Sequence, residues 1–152
     1  MAFESSIEDV IVRPLRRFCD ARGWLTELFR DDELPTGFEP VMGYISVTHP
    51  GVARGPHEHR DQADGFCFVD GKYEVLLWEN RSGKPRLQER FCAGSDEPVF
   101  VVVPPGVVHA YRNVGDRDAF VLNFANKLYA GWGRSEPVDE IRHEEIDSEF
   151  RI

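Results

Sequence analysis

The chain has 152 residues, sized for one domain spanning 1–152 with one core, and its 30% charged and 41% hydrophobic residues are ordinary for a globular protein. Eighteen Lys and Arg stand against 27 Asp and Glu, a formal net charge of −9. That balance excludes a general binder of nucleic acid or anionic membrane, which needs a basic surface, but not one small anion held by a few arginines.

No apolar run is long enough to span a bilayer, and the acidic start Met1-Ala-Phe-Glu-Ser-Ser-Ile-Glu-Asp9 lacks the basic and apolar regions of a signal peptide. Cys19, Cys67 and Cys92 are an odd set without C-x-x-C spacing, which predicts reduced thiols and a cytoplasmic protein.

The chain then reads as strands. Aromatic or β-branched runs bounded by turn residues predict them at 9–13, 24–30, 44–49, 65–69, 72–79, 86–91, 99–103 and 119–124. Pro35–Pro40 is a loop. Asp70-Gly71 predicts a tight hairpin, with looser hairpin connections at 80–85 and 113–118. Trp24, Phe66, Phe68, Trp78, Phe120 and Phe124 are expected in the core, and Cys67 as a small buried hydrophobe. The acidic tail from Pro137 is expected as a short helix or an irregular edge. Many short strands at near-regular spacing predict a sandwich, jelly roll or barrel.

Histidines supply the chemistry. His57 and His59, at i and i+2, lie on one face if that stretch is extended. Asp64 follows a polar stretch that can turn back towards them. His109 is distant in sequence, but a barrel can bring it to the same interior. Neutral imidazoles with one carboxylate suit Fe, Mn, Ni or Zn with open positions for substrate, so His57, His59, Asp64 and His109 form a candidate metal set. The plainer reading makes one or more of them ordinary pocket or core residues.

Gly51, His57, His59, Asp64 and Gly71 resemble the first cupin motif, with Asp64 in place of its Glu, and Pro104, Gly106, His109 and Asn113 resemble the second. The resemblance implies a double-stranded β-helix jelly roll, a fold that hosts many activities. A narrower likeness runs from 20 to 145. Asp20-Ala-Arg-Gly-Trp-Leu-Thr-Glu27, Arg54-Gly-Pro-His57, Pro104-Pro-Gly-Val-Val-His109, Asn126-Lys-Leu-Tyr129-Ala and Glu140-Ile-Arg-His-Glu-Glu145 come in the order of similar stretches in the dTDP-4-dehydrorhamnose 3,5-epimerase family.

That likeness implies epimerisation beside the ketone of a nucleotide-linked 4-keto-6-deoxy sugar, without a cofactor, in a homodimer. Carried over, His57 is the base and Tyr129 the acid on the opposite face. Arg54 and His109 face the developing oxyanion, Arg22 the diphosphate, and Glu27 the base or a neighbouring subunit. Trp132, between two glycines, is a candidate lid or substrate contact. Plain readings stand beside these: a turn or surface role for Arg22 and Arg54, and core packing for Tyr129. His49 and His143 are given no role.

Two departures matter. Asp64 stands near where the family carries a lysine. The family's aspartate partner for the catalytic histidine has no clear equivalent, with Asp64, Asp61 and Glu58 as candidates. Three function classes therefore stand: a metal-independent epimerase or isomerase, a metal-dependent cupin enzyme, and a non-catalytic sugar or nucleotide binder.

Overall fold

The computed structural model describes residues 3–152. Its strands are β1 (Ile11–Pro14), β2 (Arg17–Asp20), β3 (Gly23–Thr26), β4 (Met42–Thr48), β5 (Ala53–Glu58), β6 (Asp64–Phe68), β7 (Lys72–Glu79), β8 (Gln88–Gly94), β9 (Val99–Val103), β10 (Val107–Asn113), β11 (Ala119–Ala125) and β12 (Ile141–Arg142). Two antiparallel sheets form, ordered β1-β9-β6-β11-β4 and β12-β5-β10-β7-β8, while β2 and β3 pair only with each other. Helical structure among the described residues is confined to 3₁₀ turns at Asp31–Glu33, Trp132–Arg134 and His143–Glu145. The expected all-β jelly roll is therefore what the chain forms. Its tail combines a short edge strand with a 3₁₀ turn.

Side-chain alternation decides which layer each residue meets. On β9, Val99, Val101 and Val103 join Phe66, Phe68, Val75, Leu77 and Tyr111 between the sheets. Phe100 and Val102 face the other way, under Leu15, Phe38, Leu28, Phe29 and Leu34. On β7, Tyr73, Val75 and Leu77 face the main core, while Leu76 and Trp78 meet Val108, Ala110 and Phe150. Both sheets thus gain a cover on their outer face: the loop around 28–38 for the first, the tail for the second. β6 and β9 are buried at every residue, which explains the unbroken apolar sequence of β9 and makes the buried Asp64 that opens β6 stand out. Full burial of each such Val or Phe contributes about 1.5–3 kcal/mol.

β4 inverts the usual pattern. Ile45 and Val47 are 59% and 51% exposed on this edge strand, whereas Thr48 is buried and Ser46 and the half-exposed Tyr44 line a cavity.

Four expectations need correction. Asp70-Gly71 does turn the chain, with Gly71 at φ +64° and no room for a Cβ against Ala119, but it links β6 of one sheet to β7 of the other. The 113–118 connection likewise carries the chain from β10 to β11, across the sheets. Only the 80–85 connection joins paired strands, β7 and β8. The strand expected over 24–30 stops at Thr26, because Leu28 and Phe29 both turn onto the outer face of the first sheet. Trp24 is 52% exposed rather than core. It lies on the β2–β3 hairpin with the Arg17 guanidinium 4.4 Å from its ring.

Candidate active site

β5 and β10 are antiparallel neighbours with His57 opposite His109 and Arg54 opposite Tyr111. Residues far apart in sequence so become cross-strand partners. The His57 and His109 rings meet edge to face at 4.4 Å between centroids. His59, one residue beyond β5, completes the group: one nitrogen from each of the three imidazoles lies within 4.8 Å of the others.

Asp64 comes from the opposite sheet, as the first residue of β6, and is 1% exposed. Its Oδ2 lies 2.9 Å from His59 Nε2 and 3.6 Å from His109 Nε2, the latter too long for a hydrogen bond. His109 Nε2 is buried without a hydrogen-bond partner, while its Nδ1 contacts the Val107 carbonyl at 3.0 Å. Asp64 Oδ1 accepts from Gln62 Nε2 and from Asn123 Nδ2, both at 3.0 Å. The same Asn123 nitrogen reaches Tyr44 Oη at 2.6 Å.

Asp139 holds this group from the tail. Its carbonyl accepts from His59 Nδ1, and its carboxylate accepts the backbone N–H groups of Arg60, Asp61 and Gln62 at 2.8, 2.8 and 2.9 Å. Both ring nitrogens of His59 therefore face acceptors.

The three imidazoles differ electrostatically. Burial works against charge on His59, but the hydrogen bond and charge of Asp64, with help from Asp139, outweigh it and hold the ring up at about 9. Burial likewise opposes the Asp64 charge, yet the His59 hydrogen bond and the neighbouring imidazoles bring it down to about 2. His57 is pushed well below the ordinary histidine value by burial and then by His109 and His59. Burial lowers His109 as well. For Tyr44, burial first and the Asp64 charge second raise the phenol to about 12.

Beside the histidines lies a cavity of about 660 Å³. His57, His59, Arg54, Phe66, Tyr111, Tyr44 and Ser46 line it from the strands, and Tyr129 lines it from the loop after β11. The tail closes one side with Asp139, Glu140, Arg142 and Glu144. β12 pairs with β5, setting Arg142 opposite His57, and Glu144 Oε1 then lies 4.0 Å from His57 Nδ1. The carboxylate nearest His57 Nδ1 thus comes from the tail. Of the candidates named from the sequence, Asp64 engages His59, and Glu58 faces away from the cavity. Glu58 meets His143 Nε2 and Asn80 Nδ2, each at 2.8 Å, and His143 Nδ1 meets Ser148 Oγ at 2.9 Å.

The fold thus brings together His57, His59, Asp64 and His109, and it sets Arg54 and Tyr129 on the cavity wall. It does not bring Arg22, Glu27 or Trp132 there within one chain. Arg22 sits at the hairpin tip, bound to Asp20 at 2.5 Å, and Glu27 lies 3.6 Å from Arg30. Trp132 is 82% exposed and is not among the lining residues. Tyr44, Asn123, Asp139 and Glu144 escaped the sequence reading. Only Tyr44 carried a local signal, the polar face Tyr44-x-Ser46-x-Thr48 on a strand whose other face is apolar.

A jelly roll with three imidazoles converging beside a cavity is a cupin-like arrangement. Residues 18–133 match the polysaccharide biosynthesis C-terminal domain family, and the chain is a member of that family. It is 33% identical over 127 residues to a probable low-salt glycan biosynthesis epimerase, Agl13, of Haloferax volcanii, covering 82% of this chain and 81% of that one. It is 32% identical over 126 residues to the spore coat polysaccharide biosynthesis protein SpsL of Bacillus subtilis, covering 81% and 82%. Among solved structures, it shares the fold of dTDP-4-dehydrorhamnose 3,5-epimerase from Bacillus anthracis, solved with TDP and pyrophosphate bound. That match has a TM-score of 0.75 at 20% identity, covering 85% of this chain and 78% of that one.

Proposed function

We propose that this protein epimerises a carbon beside the ketone of a nucleotide-linked 4-keto-6-deoxy sugar. The observation that carries this reading is His57: its side chain is only 16% exposed, it lines the cavity, and its surroundings keep it neutral. A neutral imidazole can accept the α-proton, which a ketone makes acidic. Inverting the centre then requires a proton from the other side. Tyr129, on the loop after the first sheet's β11, supplies it across the cavity from His57 on the second sheet's β5. The name of the Haloferax relative, a probable epimerase, agrees with this chemistry.

Binding completes the reading. Arg54 contacts the sugar ketone side, with His109 behind it, and Trp132 folds over the bound ligand. Arg22 and Glu27 reach the nucleotide from a second copy of the chain, in a cytoplasmic homodimer. The apolar Phe18, Trp24 and Leu25 of the hairpin and Ile45 and Val47 of β4, all at least 44% exposed, are the surface that such a dimer would bury.

A second reading rests on a specific observation. Three imidazoles with one nitrogen each within 4.8 Å of the others, an unpartnered His109 Nε2 and the adjoining Asp64 carboxylate are a donor set that fits a divalent Fe, Mn, Ni or Zn. Held by His57, His59, His109 and Asp64, such an ion would supply Lewis acidity towards the ketone oxygen.

One experiment separates the readings. A dTDP-4-keto-6-deoxyhexose is followed by NMR in D2O, with and without EDTA, beside His57→Ala. Deuterium entering C3 or C5, indifferent to EDTA and absent in the variant, is the expected result. Loss of exchange with EDTA together with stoichiometric metal in the protein favours the second reading. Nucleotide-sugar binding with no exchange at either centre leaves a binding module and defeats both.

A further inference from the structure

The amide of Asn123 fixes the direction of a hydrogen bond that matters to the cavity. A single atom of that amide contacts both Asp64 Oδ1, at 3.0 Å, and Tyr44 Oη, at 2.6 Å. Asp64 Oδ1 already accepts from Gln62 Nε2, so the shared amide atom is the NH2 nitrogen, with one hydrogen for each oxygen. Tyr44 Oη is consequently an acceptor towards Asn123. Its own O–H hydrogen is left without a protein partner, on a residue that lines the cavity.

The backbone supports the same assignment. Asn123 and Tyr44 are cross-strand partners on β11 and β4, and Asn123 is 2% exposed, so the phenol is anchored from a buried residue. Alternation along β4 sets Tyr44 and Ser46 on the cavity wall, and Tyr44, 49% exposed, is open to whatever occupies the cavity. Arg54, the expected host for the developing oxyanion, is largely occupied. Its Nε donates to Thr48 Oγ1 at 2.9 Å and its Nη2 to the Val47 carbonyl at 2.6 Å, so it braces β4.

We propose that Tyr44 is a catalytic hydrogen-bond donor, its phenolic O–H directed at the ketone oxygen on which negative charge develops once the α-proton is removed. The inference rests on the epimerase reading above and adds to it a group outside the base and acid pair. Proton abstraction breaks the C–H bond to His57 and leaves the electron pair delocalised onto the ketone oxygen. Tyr44 shares its proton with that oxygen without giving it up, and the ketone is restored when Tyr129 delivers its proton to the opposite face of the carbon, the charge left on His57 and Tyr129 being cleared by proton exchange with water. An oriented donor at such an oxygen stabilises the transition state more than the ground state.

Tyr44→Phe tests this, since it removes one oxygen and keeps the ring. With the NMR exchange assay, kcat is expected to fall by about 100-fold while KM changes by less than about threefold. Binding of dTDP alone, measured by calorimetry, is expected to match the parent chain, which reports an intact cavity. Exchange within threefold of the parent overturns the Tyr44 assignment and leaves the epimerase reading standing. Loss of dTDP binding in step with turnover also overturns it, because Tyr44 is then structural. A parent chain that binds dTDP but exchanges no α-proton removes the epimerase reading, and the Tyr44 proposal falls with it.

Discussion

The end of strand β5 carries two histidine–carboxylate contacts on opposite sides, one from Glu58 and one from His59 just beyond it, and the two differ in almost everything except their chemistry. On the cavity side His59 meets Asp64 at 2.9 Å; on the outer side Glu58 meets His143 at 2.8 Å. The inner pair joins the two sheets. It lies among other imidazoles, and the tail steadies it through the Asp139 carbonyl. The outer pair is finished by Asn80 and Ser148 and roofed by Phe150, whose ring stands edge to face with His143 at 4.8 Å. A buried ion pair or hydrogen bond is equally costly to leave half-made on either face. The difference is what each one orients. The inner contact sets the protonation and direction of groups facing the ligand, whereas the outer one fastens the tail that brings Asp139 and Glu144 to the cavity.

The sharpest way to break this comparison is to remove the inner acid. Asp64→Ala strands the donors of His59, Gln62 and Asn123 in a buried place, and a loss of about 3–5 kcal/mol is expected. For a chain of this size that is a fall in melting temperature of roughly 10 °C, accompanied by loss of α-proton exchange. A melting temperature within a degree or two of the parent would mean that the inner pair does not hold the sheets together. His143→Ala is expected to cost less, about 1–3 kcal/mol, with exchange at a temperature far below melting kept within about threefold. Abolished exchange in a folded His143→Ala protein would give the outer pair a part in the chemistry.

Glu144→Gln sits between the two faces. Its oxygen is 4.0 Å from His57 Nδ1 and its side chain is 35% exposed. A reduction of about two- to fivefold in kcat with unchanged stability is expected, in line with a partly solvated pair. A hundredfold loss would instead make it the main orienting group of His57.

A last prediction concerns pH. His59 is raised from its ordinary value to about 9, so its stabilisation is complete below about pH 6.5 and is lost as pH climbs towards 9. His57 is held far below its ordinary value, so stability falls as pH drops under about 6.5, where the unfolded chain takes up a proton that the folded one refuses. Melting temperature is therefore expected to peak near pH 6.5. Asp64→Asn should flatten the alkaline limb and leave the acid limb in place. Equal alkaline slopes in the two proteins would remove Asp64 as the source of the His59 shift.

These contacts show what a sequence can and cannot carry. The apolar runs of β7 and β9 announced strands with the right bounds, and the spacing of His57, His59 and His109 announced a shared site. Turn chemistry at Asp70-Gly71 was equally visible, but a turn does not say which sheet receives the next strand, and a hairpin was expected where the chain crosses over. β5 was not among the eight expected strands because Ala53-Arg-Gly-Pro-His-Glu58 has none of the β-branched residues that mark one; pairing with β10 and β12 makes it extended. The roles of Asn123, Asp139 and Glu144 depend on register between distant segments, and nothing local to them encodes it. From sequence Glu58 is a candidate partner for the catalytic histidine and His143 has no assigned role; that they meet each other emerges only when β5 and the tail are laid side by side.

The cover on both faces of β6 and β9 has a consequence in time as well as in space. Their amide hydrogens should exchange with solvent only when the whole molecule opens, whereas the isolated β2–β3 hairpin should exchange through local fluctuation, and the tail between these limits. Phe66 of β6 lines the cavity, so that part of its wall belongs to the slowest unit. Its rim, from Asp139 to Glu144, belongs to a faster one. Ligand can then enter and leave by opening of the rim alone, while the imidazoles and the carboxylate beneath it keep their places.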